Sequence, residues 1–153
     1  MLLETSLARI PRIAPKLTST AHFEGEYLSE NLESENPMPI KYPVIASASF
    51  TFPQIAQVGV NVNDALNNPD YIVNTYDLTP DFFYTGTNDY NAKLTLVFDK
   101  TNTLVGASEV SQTAADDINN SVSVIGLNIE TRSWKKEFMP IFPALAYKVR
   151  EFI

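Results

Sequence analysis

Apolar residues recur with two different periods along this chain, and the changes of period mark out its elements. From residue 93 onward the period is two: Leu94, Leu96 and Phe98 share one face of a strand. Asp99-Lys100-Thr101-Asn102 then turns the chain, and Thr103 to Glu109 returns as the second arm of a hairpin. Tyr71 to Tyr76 alternates likewise, Val44 to Phe52 reads as a strand of small residues, and Val58 to Val60 as a short one. Asp64 to Asn67 reads as a helical turn closed by Asn68-Pro69. Helical spacing dominates elsewhere. Thr18 is placed to cap a helix running to about Leu32, with Phe23, Tyr27, Leu28 and Leu32 on one side and Gly25 marking a close approach. Thr113 is placed to cap another, with Ala115, Ile118, Val122 and Ile125 as its apolar stripe and Gly126 to end it. Asp116 and Asp117 fall in its first turn, where carboxylates complement the exposed N–H groups, and this explains the pair without a site. A last helix is predicted after Pro143, with Leu145, Val149 and Phe152 inward and Lys148 and Arg150 near its end. Strands first and then two helices predict an α+β fold with an antiparallel sheet.

Prolines divide the chain before that sheet begins. Ile10 to Pro15 reads as extended, and Asn36-Pro37-Met38-Pro39 with Tyr42-Pro43 forms the best linker. With 153 residues, one well-buried domain fits and two would be cramped.

Composition removes several chemistries. There is no Cys, one His and five Gly, so no disulfide, thiolate metal site or cysteine nucleophile can form within the chain. The glycines are too scattered for a Gly-rich nucleotide loop. A net charge of −7 argues against nucleic-acid and anionic-membrane partners. Arg132, Lys135 and Lys136 beside Trp134 read as a solvated face. No run approaches the roughly 20 apolar residues of a membrane span, and Glu4, Arg9 and Arg12 break any signal-peptide pattern, so a cytoplasmic location is expected. His22 near Glu24 and Glu26 reads as a surface residue rather than a ligand, and no nucleophile-elbow motif accompanies it. Asn61-Val62-Asn63-Asp64 lacks the glycine and terminal glutamate of a calcium loop.

Several segments in order resemble a known family. Phe50-Thr51-Phe52-Pro53-Gln54-Ile55-Ala56-Gln57-Val58-Gly59 resembles the "F-T-x-P-E-I-A-x-V-G" opening of the C-terminal interface (dimerisation) domain of the glutathione reductase-like pyridine nucleotide–disulfide oxidoreductases. Lys93 to Asp99, Leu104-Val105-Gly106-Ala107 and Ala114 to Asn119 follow that domain's later motifs, and Pro15 to Glu24 resembles the "P-x-L-T-P-x-A" tail of the flavin domain before it. The resemblance implies an antiparallel sheet with helices packed on one side. It implies residues 1–40 as a residual flavin-domain tail with linker and 41–153 as an interface domain that forms a homodimer. For the parent family it implies FAD and NAD(P)H, and for this chain alone no bound cofactor.

Two departures qualify what the resemblance implies about chemistry. Members carry a Gly-Asp pair before the "P-x-L-T" segment, and the stretch near Leu7-Ala8 has neither. Members tend to end in "H-P-T-x-x-E", whose His and Glu cross the dimer as an acid–base pair; here Phe142 stands at the His position and Tyr147 at the Glu position. A phenyl ring moves no proton, and a phenol is a poor acid at neutral pH. The family's flavin-facing helix start corresponds to Leu17, Thr18 and Ser19, for which a ligand-free N-terminus is the simpler reading. Phe82, Phe83, Tyr84 and Tyr90 are expected in the core, and part of Trp134, Phe138, Phe142 and Tyr147 at a subunit contact. Two functions stay open: a non-catalytic dimerisation domain, or a fragment of a working FAD- and NAD(P)H-dependent oxidoreductase whose nucleotide domains lie outside this chain.

Overall fold

The computed structural model describes residues 15–36, 38–142, 147, 150 and 151. Helix α1 (Thr18–Asn31) leads into a five-stranded sheet built from β1 (Ala46–Ser49), β2 (Gln54–Gly59), β3 (Tyr71–Asp77), β4 (Lys93–Asp99) and β5 (Leu104–Ser111). The strands lie in the order β1-β2-β5-β4-β3, and every neighbouring pair is antiparallel. Short helices α2 (Val62–Leu66) and α3 (Phe82–Gly86) flank β3, and α4 (Ala114–Gly126) and α5 (Thr131–Glu137) follow the sheet. An α+β domain with an antiparallel sheet is what the alternating pattern predicts.

The β4–β5 hairpin forms as its sequence dictates. Asp99 Oδ1 accepts from the backbone N–H groups of Thr101 (2.8 Å) and Thr103 (2.9 Å), and Asn102 takes the positive φ of 62° that closes the turn. Leu94, Leu96 and Phe98 all point into the main core. There they meet Ala56 and Val58 of β2, Ala107 of β5, and Ala114, Ile118, Val124 and Ile125 of α4. On the opposite face, Ala65 of α2 packs with Val97 and Val105.

Elsewhere the elements shift from their expected places. β1 is only four residues long, and Phe50 and Phe52, expected within it, stand 80% and 85% exposed at the β1–β2 turn. β2 begins four residues before the expected Val58, because Ala56 and Val58 both face inward in a period of two. The buried stripe of α4 is Ala114, Asp117, Ile118, Ser121, Val124 and Ile125, so the helix is rotated from the expected face and two polar residues lie on it. Helix α1 is capped by Leu17 rather than Thr18, with no side-chain cap, and Leu28 and Leu32 are exposed while Phe23 and Tyr27 are half-buried. A Cβ on Gly25 would meet nothing within 4 Å, so that glycine serves no close approach. Of the first aromatic group only Tyr84 is fully buried; Phe82 is exposed because α3 is a single turn with one inward face, and Tyr90 is exposed in the turn between α3 and β4.

Helix α5 has no counterpart in the sequence pattern. It is pinned by Trp134, which enters the main core and stacks on Phe138 at 6.0 Å, and by Thr131 Oγ1, which donates to the Asn102 carbonyl at 2.7 Å. At its far end the Arg150 guanidinium donates to the carbonyls of Lys135 (2.8 Å) and Phe138 (3.2 Å), satisfying oxygens that a helix C-terminus leaves open. Tyr147, Arg150 and Glu151 are themselves helical, while Leu145, Val149 and Phe152 lie outside the described residues, as does the Leu7-Ala8 stretch.

Candidate functional site

Three places bear on function. The first is the start of α1. Leu17 is the extended N-cap (φ −115°, ψ 155°), and Thr18 and Ser19 are exposed in a first turn that contains no acidic residue. Ser19 and Thr20 line a cleft of about 240 Å³ with Phe23, Tyr42, Val44 and Asn119. The helix is tied to the linker: Tyr42 Oη donates to Glu24 Oε1 at 2.6 Å, which raises the Tyr42 phenol above its ordinary value. Tyr27 Oη donates to the Met38 carbonyl, and Met38 N–H to Asn31 Oδ1 at 3.2 Å. A helix N-terminus can steady negative charge. The cleft is nevertheless smaller than the roughly 300–1,000 Å³ that encloses a small ligand, and its walls are largely apolar. These residues do not fit a whole FAD, nor do they offer a Gly-rich cradle for a dinucleotide phosphate.

The second place is the Phe142 and Tyr147 pair. The structure brings the two rings together edge to face, with centroids 5.2 Å apart and planes at 78°. They form an aromatic contact with no proton-transfer partner between them. Around them the chain from Phe138 to Phe142 is apolar and outward-facing: Phe138 is 48% exposed, Met139 76%, Ile141 81% and Phe142 72%.

The third place was not legible as a site. Glu109 on β5 is 1% exposed and Asp117 on α4 is 3% exposed, and the two buried carboxyls lie close enough to perturb each other. Thus Asp117 is not a surface charge at a helix start, as its position suggests; the rotation of α4 turns it inward, and only Asp116 stays exposed. Glu109 sits between Ala56 of β2 and Leu94 of β4. Ser111 Oγ donates to Glu109 Oε1 at 2.6 Å, and Thr113 Oγ1 to Asp117 Oδ2 at 2.9 Å. Asp89, also buried, accepts from the Gln112 backbone at 2.6 Å. Burial pushes the Glu109 carboxyl well above the carboxylate range, and the neighbouring Asp117 charge adds to this. Burial raises Asp117 too, against the lowering effect of its bonds from Glu109 and Thr113. Burial likewise pushes up the phenol of nearby Tyr84. Among the described residues no group of three or more His, Cys, Asp or Glu side chains is arranged to hold a metal ion. Nor is any described helix long and apolar enough to cross a membrane.

No family model matches the chain. It is 34% identical over 122 residues to the "uncharacterized 19.7 kDa protein in mercuric resistance operon" of Staphylococcus aureus, covering 78% of this chain and 68% of that one. Over 125 residues it is 31% identical to the dihydrolipoyl dehydrogenase of Buchnera aphidicola subsp. Schizaphis graminum, covering 80% of this chain and 24% of that enzyme. Among solved structures, the HOCl-induced flavoprotein disulfide reductase RclA of Escherichia coli superposes with a TM-score of 0.77 at 18% identity, covering 90% of this chain and 32% of the reductase. This chain thus spans about a third of the reductase subunit and about a quarter of the dehydrogenase. The chain belongs to the family of the staphylococcal 19.7 kDa protein, and its fold is that of the C-terminal interface domain of the flavoprotein disulfide reductases.

Proposed function

We propose that this chain is an association module: the interface domain of a glutathione reductase-like flavoprotein, which pairs with a second copy of itself and performs no redox chemistry alone. On this reading residues 41–153 are the interface domain, residues 1–40 are the tail of a flavin domain, and the protein works in the cytoplasm. The observation that carries the proposal is the pairing of a reductase-type fold with a Phe142–Tyr147 ring contact where the family's acid–base pair is expected. The exposed apolar run Phe138 to Phe142 supplies a surface whose burial favours association. The mercuric resistance operon in the staphylococcal relative's name adds no metal role here, since this chain brings no cysteine thiolate for a soft ion.

One observation favours the second reading, a fragment of a working FAD- and NAD(P)H-dependent oxidoreductase: the limited share of the reductase subunit that the chain spans. Purification of the intact native gene product, incubation with FAD, gel filtration and then addition of NADPH or NADH separates the two, because only the second reading requires nucleotide domains in that product. The expected result is a colourless protein peak and no nicotinamide oxidation above that of free flavin. Co-elution of flavin with the chain and protein-dependent oxidation would overturn the proposal.

A further inference from the structure

The Glu109–Asp117 contact has no part in the association reading, yet it joins two elements that hold the domain together. Glu109 lies on central strand β5, and Asp117 lies one turn into α4, the helix that covers β1, β2 and β5. Two carboxyls buried side by side across this contact resist double ionisation, since two carboxylates out of water repel and neither is solvated. Among the described residues, the charged and titratable groups that act on the pair are acids and a phenol. Asp116 is on α4, Asp89 precedes β4, and Tyr84 and Asp81 belong to α3 and its cap. The neutral partners are hydroxyls: Ser111 toward Glu109, Thr113 toward Asp117, and the buried Ser121 one turn further along α4, which has no hydrogen-bond partner.

We propose that Glu109 and Asp117 share a single proton across the β5–α4 contact, and that loss of this proton with rising pH loosens α4 from the sheet. Ser111 Oγ donates to Glu109 Oε1 and Thr113 Oγ1 to Asp117 Oδ2, which leaves the second oxygen of each carboxyl for the shared proton. The sign follows from linkage. In the unfolded chain both carboxyls ionise near pH 4, whereas the folded chain retains a proton at higher pH. The folded state therefore binds more protons, and its stability falls as pH rises from about 4 through neutrality. Most carboxylates in folded proteins act in the opposite direction.

The test is thermal unfolding of the full chain from pH 5 to pH 9, with wild type beside Glu109→Gln, which keeps a hydrogen-bond donor and removes the titration. Wild type is expected to lose on the order of 5 °C in Tm across this range, and the variant to lose much less. Equal slopes in the two proteins would overturn the proposal, because a purely structural Glu109 would lower Tm in the variant without changing its pH dependence. Should Glu109→Gln fail to fold, infrared spectra of the wild-type protein decide. A carboxylic-acid carbonyl band that persists at pH 7 and disappears on unfolding supports the shared proton, and the lack of such a band rejects it.

Discussion

Gly106→Ala is expected to destabilise the fold by about 3 kcal/mol or more. Gly106 pairs with Gly59 across the β2–β5 ladder and with Val97 across β4–β5, at the point where β2 leaves the sheet. A Cβ on Gly106 would lie 2.4 Å from the Val60 carbonyl oxygen and 3.0 Å from the Val60 nitrogen. Both are backbone atoms, and Val60 N–H is itself engaged with the Val105 carbonyl at 2.9 Å, so relief requires the strands to part. Gly59 is constrained from the other side, with a φ of +73° and only 2.2 Å from a would-be Cβ to the Val105 oxygen. Urea unfolding followed by far-ultraviolet circular dichroism should show the midpoint of Gly106→Ala lower by roughly 1 M or more. Gly25→Ala is the matched control: it lies exposed in α1 with nothing to clash against, and alanine there should stabilise by up to about 1 kcal/mol. Equal effects from the two substitutions would contradict the close β2–β5 approach.

Trp134→Ala is expected to cost about 3–5 kcal/mol. Trp134 is 7% exposed and one of only two buried residues in α5. Removing the indole opens a void in the main core and loosens a helix whose start is tied by the Thr131–Asn102 bond and whose end by two bonds from Arg150. Phe138, its stacking partner, is about half exposed, so Phe138→Ala should cost much less. Thermal melts should place Trp134→Ala roughly 10 °C below wild type, with Phe138→Ala in between. Similar melting points for the two variants would mean that the indole is not seated in the core.

The contrast between α5 and the β4–β5 hairpin explains how much of the fold the sequence carries. Leu94, Leu96 and Phe98 repeat a single period beside a turn whose Asp99 and Asn102 have their own local chemistry, so strand and connection are both legible. In Thr131–Glu137 only Trp134 is apolar, and one position has no period. Its helical state is decided by tertiary contacts, with Asn102 and Arg150 as partners distant in sequence. The large residues Phe50 and Phe52 point the other way, since hydrophobicity alone suggests a strand where the chain is making an exposed turn.

The buried acids show the same limit at the candidate site. Asp117 lies three residues after Ala114 and one before Ile118, in phase with the buried stripe, and Glu109 lies two residues after the inward-facing Ala107. The period was therefore a usable signal in both elements. Charge argued the other way, because a carboxyl is rarely buried unless paired, and the partner came from a different element. By contrast Phe142 and Tyr147 were legible only through the family resemblance. The structure adds that their rings touch.

Association through the interface-domain surface is the central claim, and sedimentation equilibrium of the purified chain at micromolar concentration tests it most directly. The expected mass is twice that of the chain, returning to the single-chain value when Ile141 and Phe142, both exposed, are replaced together (Ile141→Asp with Phe142→Asp). A wild-type chain that sediments as a monomer throughout that range would contradict the claim.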